Sequence, residues 1–100
     1  MYKLTDTFPK EERFSLVQQL RRCSSSISAN IVEGACRNTD ADFAHFLQIS
    51  LGSASETKYF LLLSKDLGYI QEHIYLKLST LTDETMKMLS SLISFLKANR

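Results

Sequence analysis

One proline, at position 9, and three glycines, at 34, 52 and 68, are the only strong chain breakers in this sequence of 100 residues. Intervals that long favour a few long helices over many short strands, so the fold class is all-α. Phe8-Pro9-Lys10-Glu11-Glu12 reads as a helix start. Proline is tolerated at the first helical position, and the two glutamates suit the positive end of a helix dipole. Thr7 or Phe8 would be the cap. From there Leu16, Leu20, Cys23, Ile27, Ile31 and Gly34 recur at steps of four and three, the period of a helix packed along a seam. The spacing predicts a helix over about 9–37.

Asn38 suits the left-handed conformation that ends many helices, and Thr39 supplies a capping hydroxyl ahead of Asp40 and Asp42. A second helix is predicted over 39–67, buried over more than half its circumference. Phe43, Leu47, Ser50, Ala54, Thr57 and Leu61 form its main face, and Phe46, Ile49, Ser53, Phe60 and Leu67 widen it. Gly68 is the expected C-terminal cap. Ile74, Leu78, Leu81, Thr85, Met88, Leu92 and Leu96 then define one narrow stripe on a third helix over 71–98. The three predicted helices belong to one domain spanning 1–100, since a chain this short supports a single core.

Between Ser24 and Gly34 the residues are small wherever the first long helix would meet a neighbour, and Gly52-Ser53-Ala54-Ser55 is small again on the second. Ser26, Gly34, Gly52 and Ser53 are therefore the expected points of close helix packing, where backbones approach and offset the poor helix propensity of glycine. Asn30, Glu33 and Glu56 are expected to be structural polar residues that hydrogen-bond across helices and fix register.

Apolar residues make up 44% and charged residues 23% of the chain, values that argue against disorder. The longest apolar runs, such as Tyr59-Phe60-Leu61-Leu62-Leu63, fall far short of the roughly 20 residues that a bilayer requires. With no apolar signal core after Met1, the expectation is a cytoplasmic protein without membrane contact. Cys23 and Cys36 lie about 20 Å apart if they share one helix, too far to bridge, which agrees with a reducing compartment.

No catalytic constellation stands out. His45 and His73 lack the Glu-x-x-His spacing of bundle metal sites, so neither a metal nor a cofactor is expected. Arg37-Asn38 followed by His45 comes near the arginine-to-histidine spacing of small helical ribonucleases, a pair that stabilises a phosphorane and moves a proton. Seven residues intervene, more than that motif usually allows, and the expectation is no enzyme. Twelve basic and eleven acidic side chains leave a net charge of +1, so any nucleic-acid surface must be local. Lys10, Arg13, Arg21, Arg22 and Arg37 are the candidates for contact with phosphates.

Phe8-Pro9-Lys10-Glu11-Glu12, Gln19-Leu20-Arg21-Arg22, Ser26-Ile27, Asn30-Ile31-Val32-Glu33-Gly34, Phe43 with Phe46-Leu47, Gly52-Ser53 with Glu56, and Leu67-Gly68-Tyr69-Ile70 together resemble the bacterial four-helix-bundle proteins encoded in intervening sequences of large-subunit ribosomal RNA genes. The resemblance covers Tyr2 to Ile70 in order, and the last helix shares only the pattern. It implies an antiparallel up-and-down bundle, a homo-oligomer and commonly a homopentamer. It also implies kinship with an accessory protein of diversity-generating retroelements, which binds nucleic acid and a reverse transcriptase. The family has a full helix ahead of the Phe-Pro-Lys motif, and here only a few residues precede it. The first helix of the bundle is accordingly expected to be largely absent.

Two functions remain open at this level: a scaffold that binds RNA or DNA together with a protein partner, or one that binds protein alone. A second, weaker stripe on the back of the first long helix bears on both. Phe14, Arg21, Ser25, Val32 and Cys36 occupy positions that a lone amphipathic helix would fill with charge. Phe14 and Val32 are the expected oligomer contacts, with other copies of the chain as partner.

Overall fold

Three long helices do form where the breakers leave room for them. A computed structural model describes residues 1–12 and 15–98, as α1 (Tyr2–Thr5), a 3-10 turn (Lys10–Glu12), α2 (Leu16–Ala35), α3 (Asp40–Asp66) and α4 (Glu72–Ala98), with no strand among the described residues. The long helices run up and down as an antiparallel slab 47 × 24 × 16 Å in extent. The middle helix, α3, carries the main contacts with both α2 and α4.

The first long helix begins later than its proline suggests. Lys10–Glu12 is a 3-10 turn, and the α-helix starts at Leu16 after Ser15. Phe8 is the physical reason: it is buried, and its ring lies 5.3 Å from that of Tyr69. Anchoring Phe8 at the end of the bundle, in one cluster with Leu16, Val17, Leu20, Leu61 and Ile70, bends the chain before α2 can start. Arg13 and Phe14 lie outside the described residues.

Both connections are tight. At the first, α2 ends on a right-handed Cys36, and no described residue other than glycine has positive φ, so Asn38 does not take the left-handed conformation expected of it. Thr39 does cap α3, accepting a hydrogen bond from the Asp42 backbone N–H at 3.1 Å. At the second, Gly68 has φ +80°. The Tyr69 N–H reaches the Ser64 carbonyl and the Gly68 N–H the Lys65 carbonyl, both at 2.9 Å. That pair of bonds is the Schellman arrangement, which needs a residue free of the Cβ penalty.

Packing of α2 on α3 is close and polar. Cys23 lies across from Thr57, whose hydroxyl is 3.2 Å from its sulfur. Ser26 faces Ser53 with 3.0 Å between hydroxyl oxygens, and Ser50 donates to the Ile27 carbonyl at 2.6 Å. A Cβ added at Gly34 would sit 2.8 Å from the Phe46 Cβ and 2.9 Å from Phe43 Cδ1. Ser26, Gly34 and Ser53 are thus points of close approach. Gly52 is not: it is exposed, and a Cβ there would meet nothing within 4 Å. Residue 52 falls on the side of α3 turned away from both neighbours.

The largest departure from the periodic reading is in α4. Ser79, Thr82, Leu89, Ile93 and Leu96 are the buried residues of this helix; the last three share a cluster with Ala44 and Leu47. Of the stripe expected to face inward, Leu96 is buried and Ile74, Leu78 and Thr85 are half-buried, while Leu81, Met88 and Leu92 are exposed. Helix α4 has two apolar stripes, and the one that packs on α3 is the one whose small Ser79 and Thr82 allow close approach. The Thr82 hydroxyl is satisfied within the helix, by the Leu78 carbonyl at 2.8 Å.

Candidate interaction surfaces

Each described arginine already has a carboxylate. Arg21 reaches back to α1: Nε donates to Thr5 Oγ1 at 2.7 Å, Nη2 to Asp6 at 3.0 Å, and the guanidinium lies 4.6 Å from the centre of the Tyr2 ring. It fastens the N-terminal turn to α2. Arg22 turns to α3, pairing with Glu56 at 2.8 Å and with Gln19 of its own helix. Arg37, at the far end, pairs with Glu33 and lies over the Phe46 ring at 4.8 Å. Lys10 is exposed. The structure therefore does not gather Lys10, Arg21, Arg22 and Arg37 into one basic surface; three of them are engaged with different neighbours.

Of the three polar residues expected to bridge helices, Glu56 does so, through Arg22. Asn30 bonds within α2 instead, and Glu33 to a residue just past its end. The Asn30 amide donates to the Ser26 carbonyl and hydroxyl, both at 2.9 Å, while Glu33 holds Arg37 one turn away. A helix i,i+4 partner is always within reach, and α3 offers neither of them a closer one. The Asn30 amide still acts on the interface at second hand, because the Ser26 hydroxyl that accepts from it also accepts from the Ser53 hydroxyl of α3.

His45 packs edge-on against Phe46, with centroids 5.6 Å apart. Arg37 lies over the same ring, so the two residues share a neighbour. Among the described residues no three His, Cys, Asp or Glu side chains gather in a way that would hold a metal ion. Among the described residues no helix is long and apolar enough to cross a membrane. Cys23 is buried and Cys36 exposed, and both are free.

The chemistry on the surface is apolar. Val32 on α2 is 63% exposed; on α4, Leu81 is 50%, Met88 68%, Leu92 37% and Phe95 63% exposed. Periodicity alone finds both α4 stripes and cannot say which one meets α3. A usable signal was the presence of Leu89 and Ile93 beside the first stripe, in a run that shares Leu96 with it. At the top of α4 the outward stripe continues into an open groove of about 730 Å³. Leu4, Ile74 and Leu78 form its floor, and Lys3 and Lys77 also line it.

The family model described as 23S rRNA-intervening sequence protein matches residues 1–91. The chain belongs to this family. Its fold is similar to that of a protein of unknown function from the S23 ribosomal protein family of Bacteroides thetaiotaomicron VPI-5482, with a TM-score of 0.82 and 34% identity. The match covers 92% of this chain and 83% of that one. Curated proteins provide no match. Membership in the 23S rRNA-intervening sequence family thus accounts for the helical bundle, and the surfaces must supply the argument about activity.

Proposed function

We propose that this member of the family is a non-enzymatic, cytoplasmic helical scaffold that works by binding protein, first of all other copies of itself. The observation that carries the reading is the contrast between its surface groups: large apolar side chains stand in water on α2 and α4, while Arg21, Arg22 and Arg37 are each committed to a carboxylate. Contact with phosphates would have to compete with those pairs. Cyclic assembly through the back of α2 uses Val32, and a homopentamer is the form that family resemblance favours. Light scattering of the unaltered chain at micromolar concentration should give an oligomer, and Val32→Glu should give smaller species, because an ion stranded at a subunit contact costs a few kcal/mol. A parent chain that stays monomeric would refute the scaffold reading. Binding to single-stranded RNA or duplex DNA that falls steeply with salt and is lost in Arg21→Glu/Arg22→Glu would favour the nucleic-acid function instead, with a reverse transcriptase as the class of protein partner to look for.

A further inference from the structure

We infer that residues 1–8 form a detachable strap, latched by Arg21, which opens as one unit while α2, α3 and α4 stay folded. The inference does not depend on self-association. The hydrogen bonds of the strap are its own: the Thr5 N–H reaches the Met1 carbonyl at 2.9 Å, and the Phe8 N–H reaches the Thr5 carbonyl at 3.1 Å. Asp6 and Thr7 likewise donate to Tyr2 and Leu4. Among the described residues no backbone hydrogen bond ties this segment to another element. It can therefore leave without orphaning a backbone donor or acceptor in the bundle.

Packing around the strap is open on two sides. Towards α2, a recess of about 180 Å³ lies among Thr5, Asp6, Phe8, Val17 and Arg21. Towards α4, Lys3, Leu4 and Thr7 line the groove of about 730 Å³. Two anchors hold the segment in place. Phe8 plugs the end cluster of Leu16, Val17, Leu20, Leu61 and Ile70. Arg21 is the polar anchor: Nε donates to Thr5 Oγ1 at 2.7 Å, and Nη2 to the Asp6 carboxylate at 3.0 Å and the Tyr2 carbonyl at 3.5 Å. One guanidinium thus grips residues 2, 5 and 6 together. A helix of four residues has no stability of its own, so the latch and the plug decide whether it stays. Opening changes what the surface offers, because it bares the apolar end cluster and releases Arg21 from Asp6. The open form is the one in which this cation is available to another anion.

Residue-resolved hydrogen exchange on the full chain tests the strap. The Thr5 and Phe8 amides, both on buried residues, should share one level of protection within about threefold, at least tenfold below that of Leu20 in α2 and Leu61 in α3. Arg21→Met keeps the apolar stem of the side chain and should lower protection of Thr5 and Phe8 at least fivefold further, with Leu61 unchanged. Raised salt should lower it in the parent chain and have no effect in Arg21→Met, where no ion pair is left to screen. Asp6→Asn, at an exposed side chain, should show the same loss more weakly and gives the readout even if the Arg21 variant fails to fold. Thr5 and Phe8 amides that exchange as slowly as Leu61 would make the segment an integral part of the core and overturn the strap. Protection that differs widely between the two amides would overturn opening as a unit, and protection unchanged in both variants would overturn the latch. Each of these outcomes leaves the oligomeric state, and with it the scaffold reading, to be judged separately by light scattering.

Discussion

The two faces of the slab solve the same problem in opposite ways. Where α2 meets α3, small residues and hydroxyls let backbones come close: Ser26 touches Ser53, Ser50 bonds the Ile27 carbonyl, and Gly34 lies under Phe43 and Phe46. Where α4 turns away from α3, the residues are larger and more apolar, yet Leu81, Met88 and Phe95 are at least half exposed. Residue size and hydrophobicity alone would predict the reverse burial. The lesson is that side-chain volume matters relative to the space between two backbones; an α-helical interface closes on serine and glycine as readily as on leucine.

Truncation separates the faces most sharply. Leu47 is fully buried between α3 and α4, so Leu47→Ala should cost about 2–5 kcal/mol of unfolding free energy. In denaturant melts at concentrations low enough to exclude association, Met88→Ala should change stability by no more than about 0.5 kcal/mol. Equal losses at both positions would mean that the outer stripe of α4 is packed within one copy.

The two helix-interior glycines provide the next comparison, with opposite signs. Gly34→Ala places its methyl 2.8 Å from Phe46 Cβ, an atom that cannot swing aside without its backbone. Overpacking of about 1–3 kcal/mol then outweighs the roughly 1 kcal/mol gained in helix propensity, and the variant should melt lower. Gly52→Ala meets nothing within 4 Å and should melt higher, by up to about 1 kcal/mol. Stabilisation at residue 34 would contradict the close approach of α2 to α3.

The smallest effect is a pH dependence at the α3–α4 contact. Lys58 donates to Asp83 at 2.7 Å, and that hydrogen bond, followed by the charge of Asp83, raises the lysine above its ordinary value. A raised folded-state value means that folding favours the protonated amine. The contribution is therefore complete at neutral pH and is lost as pH climbs through the folded-state value. The pair is solvent-exposed and correspondingly weak. The melting difference between the parent chain and Lys58→Met should be small at neutral pH and shrink toward zero in strong alkali; a difference that grows would reverse the sign.

Much of the scaffold was legible in the sequence, because helix punctuation is local. Thr39 and Gly68 act where their chemistry says they should, and the α2 seam from Leu16 to Gly34 follows its period. What the sequence hid was tertiary. Pro9 is compatible with a first helical turn, but burial of the neighbouring Phe8 against Tyr69 decides the path. Likewise Arg21 and Arg22 look alike as a basic pair, and only the fold shows one fastened to α1 and the other to α3. The side chains of α4 could serve either of two stripes, and Ser79 and Thr82 choose between them by fitting against α3.

The central position of α3 also bears on how the chain folds and breathes. Since α2 and α4 each pack chiefly on α3, their docking events are separable, as in a short linear array of repeats. The hairpin of α2 and α3, closed by one tight turn, can assemble from nearby segments with little loop entropy to overcome, the regime of fast folders. Helix α4 then joins as the outer member of the stack, so it can detach without opening the serine-lined interface. Its amides should be the first of the three long helices to exchange with deuterium, through sub-global opening.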